Sequence, residues 1–181
     1  MPFLALFMVT MFVGFAFADT ISTTVHFNVQ TQTSFTVTLP GGSAVASGTT
    51  SDIEFNSTSG TQVKVNASVV GAPSNVQTSS IPIFVYSNTG NVDINVNLTL
   101  DSTYTGITVK AANANADWES SCSSTAMPDS GKCVAVSTAS RRVAGTLAAG
   151  GTQNVWMWAD FSSVAGGTSV SKTLTHTSAA S

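Results

Sequence analysis

Residues 81–100 read IPIFVYSNTGNVDINVNLTL, and the reading of this stretch decides the fold. In its second half Val92, Ile94, Val96, Leu98 and Leu100 fall on one side, with Asp93, Asn95, Asn97 and Thr99 between them. An apolar period of two belongs to a strand with one face in a core, because successive side chains point to opposite faces. At the centre, Asn88-Thr89-Gly90-Asn91 supplies residues that tolerate positive φ, as a tight turn requires. The pattern predicts a β-hairpin with strands on either side of that turn.

The same period recurs along the chain. TISTTVHFNV (20–29) sets Ile21, Thr23, Val25 and Phe27 on one face. SFTVTLPGG (34–42) repeats it with Phe35, Val37 and Leu39 and stops at Pro40-Gly41-Gly42, which ends pairing. VKVNASVV (63–70), GITVKAA (106–112), KCVAVST (132–138), VAGTLA (143–148), NVWMWADF (154–161) and SVSKTLTHTS (169–178) are further strand candidates. After residue 19 there is no amphipathic helix; AANANAD (111–117) lacks an apolar stripe. Eight or nine short strands separated by Gly, Ser and Asn turns predict a mainly β fold, an immunoglobulin-like β-sandwich. Trp118, Trp156 and Trp158 are expected at its core and rim, with a sugar-stacking platform as the alternative.

Composition narrows the function. Only 8% of the 181 residues are charged, against roughly 25% in average soluble proteins. Ser and Thr, 52 in all, fill the gap, so solubility rests on hydroxyls or on sugars attached to them. The net charge of −3 and six scattered basic residues give no electrostatic footprint for phosphates, which argues against nucleic acid. Cys122 and Cys133 flank a short loop in SCSSTAMPDSGKC. No His or further Cys stands near enough to suggest zinc. A disulfide is expected in an exported protein, and free thiols in a reducing cell.

Chemistry-bearing residues are sparse. His26 and His176 sit in alternating strands and are expected to face solvent rather than act as general bases. No serine lies in G-x-S-x-G, and the glycine pairs lack the strand-to-helix context of a phosphate cradle. Asp52 and Glu54 share one side of a short strand, but calcium wants six to eight oxygens, which this pair does not supply. Neither a cofactor, a metal nor a catalytic role is expected. Sequons at Asn56, Asn66 and Asn97 are candidates for N-glycosylation if the protein is exported. Asn97, between inward Val96 and Leu98, is expected to face solvent.

The run from Pro2 to Ala18 carries no charge and, as a helix, is about 25 Å long, at the short edge of a membrane span. Its Ala16-Phe17-Ala18 end suits signal peptidase, but the basic front of a signal peptide is missing. Retained, it forms a helix apolar all round, which must be buried in lipid or against copies of itself. Phe3, Phe7, Met11 and Phe15 supply bulk, while Thr10, Gly14 and Ala18 recur every fourth residue and permit close helix approach.

A bare hydrophobic helix followed by a Ser/Thr-rich β-sandwich resembles archaeal type IV pilins and the related archaellins. Ala5 stands where bacterial pilins carry glutamate, which leans archaeal. The resemblance implies removal of a short basic leader, which would account for the missing basic front. It implies residues 1–19 as a filament-core helix and residues 20–181 as a head domain, often glycosylated. Its function would be a subunit of a cell-surface, extracellular filament, with copies of itself as partners, the membrane engaged during assembly, and adhesion as the use. The alternatives are a secreted subunit that loses the helix and polymerises by donor-strand exchange through the segment near DTISTTVHFNV (19–29), and a membrane-tethered carbohydrate-binding module with an exposed face holding Trp156 or Trp158.

Overall fold

The structure, a computed structural model, describes residues 31–42, 44–45, 53–70, 75–119, 122 and 133–181. The chain divides into two units, Met1–Gln30 and Thr31–Ser181, and all described residues belong to the second. The helix expected over 1–19, the strand expected over 20–29 and the boundary expected after residue 19 lie outside the described residues.

In chain order the strands are β1 Phe35–Thr38, β2 Ala44–Val45, β3 Ile53–Glu54, β4 Val65–Asn66, β5 Ser68–Val69 and β6 Phe84–Asn88. They continue with β7 Ile94–Leu100, β8 Ile107–Ala112, β9 Val134–Val136, β10 Arg141–Leu147, β11 Thr152–Phe161 and β12 Leu174–Ala180. The helical element among the described residues is a 3-10 turn over Asn115–Asp117. The described unit is therefore mainly β, and its strand pairs are antiparallel.

The largest sheet runs β2-β1-β6-β11-β8-β9, with β4 also paired to β11; a second runs β10-β7-β12, and β3-β5 make a small third. Strand β11 is the axis of the first. Its Thr152–Val155 half pairs with β6, and Trp158–Ala159 with β4. Between these two partners the side chain of Gln77 fills the gap: its Oε1 accepts the Met157 N–H at 2.7 Å. That bond accounts for a glutamine buried to 1% exposure, since an open N–H there would cost about 1–3 kcal/mol.

Alternation in β7 is as expected: Ile94, Val96, Leu98 and Leu100 are buried and the residues between them half-buried. The expected hairpin is not. Strand β6 pairs with β1 and β11, whereas β7 pairs with β10 and β12, so residues 89–93 carry the chain from one sheet to the other. None of Asn88, Thr89, Gly90 and Asn91 adopts a left-handed φ. The backbone of residues 32–34 competes for this turn. Thr89 and Gly90 donate to Ser34 O at 3.0 and 3.1 Å, and Asn91 donates to Gln32 O at 3.1 Å. Asn88, 2% exposed, locks the crossing: Nδ2 donates to Val92 O at 2.9 Å and to Leu147 O at 2.8 Å, and Oδ1 accepts the Gly90 N–H.

Both larger sheets contribute to one hydrophobic cluster, from Val37, Phe84 and Tyr86 through Ile94, Val96 and Leu98 to Val155 and Met157. Phe84 and Tyr86 of β6 meet His176 of β12, with ring centroids 4.8 and 5.8 Å apart. Paired residues share a face, so Val155, opposite Phe84, faces the three-stranded sheet. Trp156, Trp158 and Asp160, with Lys110 opposite Trp158, lie on the other face. Among the described residues no helix is long and apolar enough to cross a membrane.

Candidate functional site

Cys122 and Cys133 form a disulfide with Cα atoms 4.8 Å apart, eleven positions separated in sequence. Cys133 leads directly into β9, and Cys122 packs against the core from a partly buried position. The bridge closes the expected loop; the free-thiol alternative is not realised.

The three sequons occupy different settings. Asn56 and Asn66 are exposed, and both line a shallow open depression of about 440 Å³ with Glu54, Gln62, Lys64 and Ser68. Asn66 lies in β4, where its Nδ2 donates to Gln77 O at 3.4 Å. Asn97 is on the outward face of β7, between Arg142 of β10 and Thr177 of β12, and these neighbours leave it half-buried. That outward face is rich in hydroxyls and amides: Thr99 stands opposite Thr175, and Asn95 opposite Ala179.

The helix-packing candidates Phe3, Phe7, Thr10, Met11, Gly14, Phe15 and Ala18 lie outside the described residues, as do His26 and Asp52. Glu54 meets Ser68 Oγ at 3.5 Å across β3 and β5. Among the described residues, no group of three or more His, Cys, Asp and Glu is placed to hold a metal.

His176 departs from expectation. It belongs to the face of β12 that also carries Leu174 and Ser178, and it turns inward rather than to solvent. Its Nδ1 and the Tyr86 hydroxyl are hydrogen-bonded at 2.9 Å. Burial lowers the imidazole to about 4, and burial also pushes the Tyr86 phenol far above its ordinary value. Both groups are thus neutral across the physiological range. The pair serves as a polar clasp between sheets; a general base would need access to a substrate proton.

Trp156 and Trp158 are buried, at 7% and 0% exposure, so they do not form the exposed aromatic face of a carbohydrate-binding module. Trp156 Nε1 donates to Thr78 O at 2.9 Å. Trp118 packs partly buried against the core, with the ammonium groups of Lys64 and Lys110 at 5.4 and 5.2 Å from its ring centre.

Sequence reasoning missed the group built around Lys110. This lysine is 3% exposed, forms an ion pair with Asp160 Oδ2 and donates to Glu119 O at 2.8 Å. Asp160 Oδ1 accepts the Lys64 N–H at 2.8 Å. The available signal was slight: a lysine at the alternating position of GITVKAA and an aspartate two residues after Trp158. What joins them is the register of β8 against β11, which neither segment encodes alone.

No family model, curated protein or solved structure matches the chain.

Proposed function

We propose that this protein is a structural subunit of an extracellular filament, resembling archaeal type IV pilins. Residues 1–19 form its hydrophobic core helix, and an immunoglobulin-like β-sandwich forms its surface head. The observation that supports this reading is the contrast between the uncharged apolar run of residues 2–18 and the described β unit of low charge that follows it. The uncharged apolar run lies in one unit; the shared core of two antiparallel sheets, the disulfide and the hydroxyl-rich outer face lie in the other. Such a composition supplies an apolar segment for association and a head suited to water. The exposure of Asn56 and Asn66 on an open depression supports a glycosylated surface, and adhesion is the use such a surface fits.

Self-association follows from the composition of the run. Burying its five Phe side chains contributes about 1.5–3 kcal/mol each, enough to hold subunits together without covalent bonds. Thr10, Gly14 and Ala18 give the side along which neighbouring helices approach. Gly14→Leu is expected to abolish filaments seen by electron microscopy while leaving the head folded; normal filaments from this variant refute the packing.

Mass spectrometry of the mature protein tests the larger reading. An intact N-terminal run with added hexose mass is expected, whereas a first residue at Asp19 removes the helical core. The second outcome favours donor-strand exchange. One observation favours that reading in its own right: among the described residues β12 lies at the edge of the three-stranded sheet, and a sheet edge offers backbone groups to an added strand.

A further inference from the structure

We propose that Lys110 and Asp160 become joined by an intramolecular amide bond, which would fasten β8 to β11 covalently. The two side chains are already in ion-pair contact on the covered side of adjacent antiparallel strands, with Lys110 3% and Asp160 16% exposed. Effective concentration is the first requirement of a condensation between two weakly reactive groups, and strands fixed in register meet it. Exclusion of water is the second. The indole of Trp118 lies 5.2 Å from the ammonium, and Trp158, opposite Lys110 in the register, is fully buried. Charges held in such a place lose hydration, and replacing the ion pair by a neutral amide removes that cost.

The third requirement is a division of labour between the carboxylate oxygens, which the site provides. Oδ1 accepts the backbone N–H of Lys64 at 2.8 Å, whereas Oδ2 contacts Lys110 Nζ. Lys64 holds its N–H there with a φ of 55°, uncommon for a residue with a side chain. One proton passes from the ammonium to Oδ2, leaving a neutral amine and a carboxylic acid. The amine lone pair attacks Asp160 Cγ, and the negative charge gathers on Oδ1, where the Lys64 N–H stabilises it. The nitrogen gives a second proton to the departing Oδ2, the Cγ–Oδ2 bond breaks, and one water leaves. Nζ keeps its last hydrogen, which is directed at Glu119 O, now 2.8 Å from Nζ. No oxidant, metal or nucleotide is consumed. The product closes a covalent ring from β8 to β11, with the disulfide of Cys122 and Cys133 inside the same span of sequence.

The test is peptide mapping of the full chain after reduction, denaturation and digestion. A single branched species holding the Lys110 and Asp160 peptides, lighter than their sum by the mass of one water, is expected. Separate peptides of unaltered mass overturn the proposal and leave a buried ion pair. Lys110→Arg keeps a cation beside Asp160 but cannot form the amide. Its intact mass is expected to lack the loss of water, and its reduced form to migrate more slowly on a denaturing gel. A water loss that persists in this variant assigns the bond elsewhere and also overturns the proposal.

Discussion

Asn88 shows how one side chain can direct a chain. It stands at the last position of β6, and its amide bonds three backbone groups around the crossing, the carbonyls of Val92 and Leu147 and the Gly90 N–H that Ser34 O also accepts. Replacement by Ala strands the carbonyls of Val92 and Leu147, and should cost about 2–4 kcal/mol in urea unfolding. Asn88→Asp should cost more than the Ala variant, because a carboxylate oxygen would then face those carbonyls. Gly90 is needed for space, not for φ. A Cβ there would come within 2.2 Å of Gln32 O and 2.9 Å of Ser34 N. Gly90→Ala must displace the segment entering β1, and a loss of about 1–3 kcal/mol is expected, read by thermal unfolding. Asn and Gly were legible as turn residues. Their partners were not, because residues 32–34 reach the turn from fifty-odd positions away.

Between strands, the clasp of Tyr86 and His176 makes stability depend on pH. The folded imidazole titrates near 4 and the unfolded one near 6.5, because burial disfavours the charged ring. Between those values the unfolded chain binds more protons, so stability falls as pH falls from about 6.5 to about 4. Above and below this window the contribution is flat. Because the ring keeps some exposure, the loss should be about 1–3 kcal/mol. Thermal unfolding of the wild type and His176→Gln, compared across this window, should show a steeper acid loss in the wild type; parallel curves would remove His176 as the source. The strand pattern correctly places Leu174, His176 and Ser178 on one face. Choosing which face is inward required the register of β12 on β7, where His176 pairs with Leu98.

Across the described unit, two antiparallel sheets with a common core carry few charges, and cross-linking supplies rigidity that a small core lacks. Reducing the Cys122–Cys133 bridge restores freedom to a short loop, and on the chain-entropy account about 3 kcal/mol of stability should be lost. Denaturant unfolding with and without reductant measures this, and the loss should be independent of the pH effect at His176. If the filament reading holds, such bridges keep a head domain folded outside the cell, where refolding help is absent. Low charge fits the same setting, since hydroxyls and amides on the outward face of β7 and β12 keep water without ionic repulsion.

By itself, the sequence determined that the described unit is β and which residues of β7 point inward. Period two is a local property of the extended backbone, and an apolar alternation has only one face to bury. With two cysteines it also left one possible bridge within the chain, while whether that bridge or a pair of free thiols exists came from the structure. Tertiary structure alone decided that β6 and β7 part company, that His176 faces Tyr86, and that Lys110 meets Asp160. Each of these depends on which distant strand lies alongside and in what register. A turn such as 88–91 is compatible with either a hairpin or a crossing until residues 32–34 and Leu147 arrive to satisfy its backbone.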